Sequence, residues 1–242
     1  MRNFLKNSTL FVLSSLFVLT SCENDPVEDD RDKDIPEYFP LAVGNYWIYD
    51  VYNIDENGNE QLLNLQDTLA IVKDSIIDGK VYFVQKWVDS RYSSFGGIRI
   101  REQFIRKSSD CILQYNHLKY PHFQDTILSY TNFTDILLEI VSYEGNTIFD
   151  PHDKKDTLYT VSFKMENPET VRVPAGSFEA VDFRGTYFVH EKYLHPDLPN
   201  PRYIHNYYAD RIGLLLKTED YYTSLARREW RLSKYHIVSN SN

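Results

Sequence analysis

The chain has 242 residues, 42% hydrophobic and 25% charged, with a formal net charge of −9. Both fractions are those of an ordinary globular protein, which excludes wholesale disorder, and 9 Gly with 10 Pro exclude a collagen-like or linker-like chain. The acidic balance argues against a nucleic-acid partner, which normally needs a basic face. Aromatic residues reach 15%, led by 19 Tyr and 14 Phe, and such residues favour the pleated surface of β-strands.

Residues 1–21 read as a targeting segment. Arg2 and Lys6 open it, and an apolar run from Leu10 to Leu19 follows. That run is shorter than the ~20 apolar residues a membrane helix needs. It ends in Leu19-Thr20-Ser21-Cys22, which resembles the lipobox of bacterial lipoprotein signals. The small residues give a signal peptidase access, and only a thiolate is nucleophilic enough to take the lipid. The resemblance implies cleavage before Cys22 and lipidation of that residue, and so a membrane partner through the anchor.

Residues 22–37 carry eight acidic and two basic residues, so most of the formal charge sits there. Such a run cannot bury a core and reads as a disordered tether. It also resembles the acidic export signal of Bacteroidota-type surface lipoproteins. A plain spacer is the other reading, and inner-membrane retention, with Glu23 at the relevant position, is a third. The expected location is the bacterial outer membrane, with surface display left open.

Residues 38–242 read as one β-rich domain. Tyr46–Tyr52 runs toward Asn57-Gly58, a hairpin signal. Leu62–Lys73 is a second strand, and Asp78-Gly79 turns into Val81–Val88. Beyond Gly96-Gly97, Ile98, Ile100 and Phe104 fall on one face and Arg99, Arg101, Gln103 and Lys107 on the other. That is the period of a half-buried strand. Cys111–Tyr115 continues the meander, with Cys111 as a small hydrophobe. Phe133, Ile136, Leu137, Ile140 and Val141 recur at helical spacing, which predicts one helix between Thr134 and Gly145. Strands resume at 158–165, 170–173, 178–183, 186–190, 203–209, 214–218 and 225–237. In the last, Trp230 and Leu232 share one face, and Arg227, Glu229 and Arg231 the other. The whole predicts a mainly β, antiparallel fold of about ten strands and one helix, curved into a half-barrel or barrel, with a two-sheet β-sandwich as the alternative.

Three segments carry a family likeness: Tyr38–Tyr49 ("FPLAVGNYWIY", from Phe39), Val171–Ala180 ("VRVPAGSFEA") and Tyr207–Lys217 ("YYADRIGLLLK"). Together they resemble uncharacterised lipoproteins of the Bacteroidota and the TapB-like domain of unknown function. The resemblance implies a lipoprotein-localisation-factor-like fold and supplies no catalytic residues. Turn geometry accounts for the motifs: Pro174-Ala175-Gly176 and Gly44-Asn45 as turns, Gly213 as a bulge or close approach.

Chemistry-bearing motifs are weak. His190 and His195 lie five apart, about 140° around a helix and on opposite sides of a strand, and His117 and His122 share that spacing. Neither pair predicts a metal site. No nucleophile elbow and no phosphate loop occurs, and no cofactor is expected. The most suggestive stretch surrounds a Pro-rich loop and holds Tyr193, His195, Arg202, Tyr203, His205, Tyr207 and Tyr208, whose aromatic faces and polar tips suit glycan or peptide contact. The expected role is a non-enzymatic envelope protein binding a glycan, peptide or envelope component. A lipid or lipoprotein carrier and a secreted hydrolase are the alternatives.

Overall fold

A computed structural model describes residues 36–90, 99–108, 111–116, 123–129, 136–142, 157–221 and 224–238. The leader, most of the acidic run, Gly96-Gly97, His117, His122, Phe133, Thr134 and Gly145 lie outside the described residues.

The strands are β1 (Tyr46–Ile54), β2 (Glu60–Ile77), β3 (Lys80–Asp89), β4 (Arg99–Ser108), β5 (Cys111–Asn116), β6 (Phe123–Ser129), β7 (Ile136–Ser142), β8 (Thr157–Met165), β9 (Glu169–Val173), β10 (Gly176–Val189), β11 (Arg202–Ile204), β12 (Asn206–Ala209), β13 (Gly213–Asp220) and β14 (Arg227–His236). One antiparallel sheet orders them β6-β5-β4-β3-β2-β1-β14-β13-β12-β10-β8-β7, with β9 and β11 also on β10. The sheet curls into a half-barrel rather than splitting into the two layers of a sandwich. Residues of β3–β6 and of β12–β13, far apart in this order, line the same interior space.

The helix expected between Thr134 and Gly145 does not form: Ile136–Ser142 is β7, paired with β8 from Ile136↔Phe163 to Ser142↔Thr157. The run Ile-Leu-Leu-Glu-Ile-Val is apolar at nearly every position, so it fits a strand as readily as a helix. Its β-branched residues and the ladder offered by β8 decide the matter. No α-helix occurs among the described residues; Glu191–Tyr193 makes one 3₁₀ turn.

The core fills the inside of the curl. Trp47, Tyr49 and Val51 of β1 alternate inward and meet Leu69 and Ile71 of β2, Ile105 of β4, Leu215 of β13 and Trp230 and Leu232 of β14. The segment before β1 closes one end. Phe39 is buried against Trp47 and Tyr208, with ring centroids 5.7 and 6.4 Å away. Asn45, wholly buried, donates to Pro40 O at 3.0 Å and accepts from Val238 N at 2.8 Å. The first likeness motif thus ties the start of the domain to its end. Gly213 has φ +104°, and a Cβ there would stand 3.0 Å from Trp47 Nε1. The close approach lets that indole N–H donate to Ile212 O at 2.5 Å.

Candidate functional site

The Pro-rich loop and β11–β14 frame a groove of about 540 Å³ on the outer face of the sheet. Four of the seven sequence candidates line it: Arg202, Tyr203, His205 and Tyr207. The other three lie elsewhere. Tyr208 is buried and points into the curl, beside Leu214. Tyr193 packs on a small satellite core of Val161, Tyr187 and Val189. His195 is exposed and accepts from Asp197 N through Nδ1.

His205, in the gap between β11 and β12, builds the groove wall. Its N–H donates to Thr218 Oγ1 at 2.8 Å, and its carbonyl accepts from Thr218 N at 2.9 Å. Asp182 of β10, 4% exposed, holds the junction from behind. One oxygen accepts from Asn206 N at 2.9 Å, and the other lies 2.6 Å from His205 Nδ1. An ionised carboxylate only accepts, so Nδ1 carries the hydrogen. The imidazole is thereby fixed and stacks on Tyr207 at 5.9 Å with the planes 10° apart. Burial, a hydrogen bond to Glu169 and the charges of Asp182, Glu169 and Glu229 hold the Tyr207 phenol far above its usual range. It stays protonated at any physiological pH.

The floor is charged but balanced. Arg202 is buried and donates to the carbonyls of Tyr221 and Ser224 at 3.0 and 3.1 Å and to the Tyr187 hydroxyl. Its planar fork acts as a strut that sets the shape of the groove. Glu229, also buried, accepts from Arg227 Nε at 2.8 Å and from Arg231 at 2.6 and 2.9 Å. Arg231 also makes a two-pronged pair with Glu60, at 2.7 Å for each bond. Burial pushes the Asp220 carboxyl above the ordinary aspartate range, against the pull of Arg202, Arg227 and His205. At the entrance, Arg184 lies 4.6 Å over the exposed Tyr203 ring.

Asp182, Thr218, Asp220 and Glu229 were not among the sequence candidates. The alternation of Arg227, Glu229 and Arg231 did mark an outward face, and in the sequence that face resembles any solvated strand surface. Nothing near Asp182 in sequence signals its role, because its partners lie 23 and 24 residues away.

A second space of about 230 Å³ lies inside the curl, lined by Phe39, Leu69, Ile112, Leu128, Tyr208 and Leu214 on the apolar side. Gln85, Trp87, Arg101, Gln103, Gln114, Asn206 and Lys217 complete the lining. Strand β4 turns its Arg101–Gln103–Ile105 face inward and leaves Ile100 58% exposed. Hydrophobicity alone would turn it the other way. Register fixes this: Ile105 pairs with Phe83 and Gln114, so the two polar residues before it follow the same face inward.

No family model matches the chain, and no curated protein matches it. The TapB-like likeness therefore rests on its three motifs. Two solved structures are similar over most of the chain. One is a candidate lipoprotein from Parabacteroides distasonis, 13% identical, covering 84% of this chain and all of its own, with a TM-score of 0.46. The other is a candidate exported protein with a YmcC-like fold from Bacteroides fragilis, 11% identical, covering 82% of this chain and 98% of its own, with a TM-score of 0.43.

Proposed function

We propose that the chain is a lipid-anchored outer-membrane protein that binds a glycan in the outer groove without transforming it. The leader, the Leu19–Cys22 lipobox and the acidic run support the anchor and the address. The observation that carries the binding reading is the His205–Tyr207 stack, fixed by buried Asp182 and set over a floor of paired charges. A flat aromatic wall accepts the C–H face of a sugar ring, and carboxylates with guanidinium groups beside it take the hydroxyls. The groove also has the volume usual for a ligand site.

The carrier alternative calls for an apolar chamber. The interior of this half-barrel presents four amides, a guanidinium and an ammonium, which disfavours an acyl chain. The hydrolase alternative would draw on the two carboxylates of the groove, Asp220 and Glu229, and Glu229 is already held by Arg227 and Arg231.

The test is a glycan microarray probed with the purified chain beside a peptide library. Glycan binding should fall at least tenfold in both His205→Ala and Tyr207→Ala. Binding confined to peptides, glycan binding indifferent to both substitutions, or turnover of a glycan that His205→Ala abolishes would each overturn the reading.

A further inference from the structure

We propose that the space inside the curl is a second, separate binding site, for a neutral, hydroxyl-rich small molecule about the size of one sugar ring. The proposal stands independently of the outer groove, which lies on the opposite face of the sheet.

The central observation is Gln85. Its side chain is buried, with the residue 8% exposed, and its Oε1 has no hydrogen-bond partner among the described residues. Buried polar groups are paired in the great majority of cases, and an orphan carries its full desolvation penalty. This carbonyl faces a cavity of about 230 Å³ with polar neighbours, so a donor brought in by a ligand has room to reach it.

The surroundings define that ligand. Gln85 and Gln103 stand directly opposite each other on β3 and β4, and Gln114 of β5 pairs with Ile105 one step along. Asn206, paired with Lys217 across β12 and β13, faces them from the far wall of the curl. An amide carries both donors and an acceptor, and a hydroxyl offers both in return; Asn206 already spends one N–H on Phe183 O at 3.2 Å. A carboxylate or phosphate has no proton to give Gln85 Oε1, which disfavours an anion. The cations of the lining are already committed. Lys217 Nζ lies 5.2 Å over the Trp87 ring and 5.0 Å over the Trp230 ring, and Arg101 lies 3.9 Å from buried Asp89. Apolar walls from Leu69, Ile112 and Leu128 meet the C–H side of a small ring. Arg101, whose side chain is 42% exposed, marks the side open to solvent.

The experiment is calorimetric titration of the full-length chain in phosphatidylcholine nanodiscs, with empty discs as blank. The probes are glucose, glucuronate and hexanol. Saturable glucose binding is expected, weakened at least tenfold by Gln85→Leu and by Gln103→Leu and unchanged by Ile76→Ala, an exposed residue of β2 that lines neither space. Thermal unfolding of the two leucine variants shows whether they remain folded, and the native chain alone decides between the probes. A preference for glucuronate would overturn the neutral assignment, and a preference for hexanol would make the space an apolar chamber. Absence of glucose binding to the native chain, or glucose binding lost in His205→Ala and kept in Gln85→Leu, would refute the site. The last result would leave the outer groove standing.

Discussion

Asp67 gives the sharpest test of how the sheet is held. It is wholly buried and accepts four hydrogen bonds: from Trp230 Nε1 at 2.7 Å, Trp87 Nε1 at 3.3 Å, and Ser90 N and Oγ at 2.8 and 2.6 Å. Two indoles from strands on either side of β1–β2 thus converge on one carboxylate of β2. Asp67→Leu keeps the number and branching of the side-chain heavy atoms and removes every acceptor. An orphaned buried donor costs about 1–3 kcal/mol. Trp230 is fully buried and its bond is short, so it belongs at the upper end. Trp87 is partly exposed and its bond is long, so it belongs at the lower end. With the Ser90 backbone N–H, the loss comes to about 3–5 kcal/mol. For a chain of this size that lowers the melting temperature by roughly 10 °C. Asp67→Asn retains one carbonyl but turns an N–H₂ toward the remaining donors, and should lose about half as much. Urea and thermal unfolding followed by circular dichroism measure both. If Asp67→Leu matched or exceeded the native stability, burying the charge would cost more than its four bonds return, and the anchoring argument would be wrong.

Three further outcomes are expected. Gly185→Ala places a Cβ 2.6 Å from Ile204 Cγ1 and 2.8 Å from Phe163 Cε1, so it should destabilise by about 1–3 kcal/mol in the same unfolding assay; a neutral result would mean that β8 and β11 yield freely at β10. Asp220 has a carboxyl held above its ordinary range by burial, so the native state holds that proton more tightly than the unfolded chain does. Its contribution favours the fold below the ordinary aspartate pKa and is lost as pH rises through the folded value. Asp220→Asn should therefore flatten the decline in urea midpoint from pH 4 to pH 7, and an unchanged slope would contradict the assignment. Cys22→Ala should abolish acyl labelling and release the chain from membranes, and protease shaving of intact cells bearing the native chain distinguishes surface display from the periplasmic face.

Much of the fold was legible because its signals are local. Asp78 and Gly79 both take positive φ, as a tight hairpin requires, and the apolar alternation of β1 and β14 follows the pleat. Segments 178–183 and 186–190 read as two strands but join into one, β10, because Gly185 breaks the pattern of side chains without breaking the backbone. The opposite happens at 203–209, where an apparently continuous strand divides at His205 into β11 and β12. Of the candidate site, the aromatic cluster was visible, and its division between two faces was not. Tyr207 and Tyr208 are neighbours in sequence, so the pleat sends one to the groove and one to the core, and only the register of β12 on β10 and β13 says which. The inward polar face of β4 was hidden for the same reason.

The pairing of β1 with β14 places the two ends of the domain side by side in the middle of the sheet, with Trp47 opposite Tyr235. Contacts of such long sequence separation must await the last strand, and folding dominated by them is slow. A nascent chain that stops before residue 227 has only β2 to flank β1 and leaves both the β1 and β13 edges bare. The domain's central ladder therefore cannot close until β14 has emerged, because β14 alone joins β1 to β13.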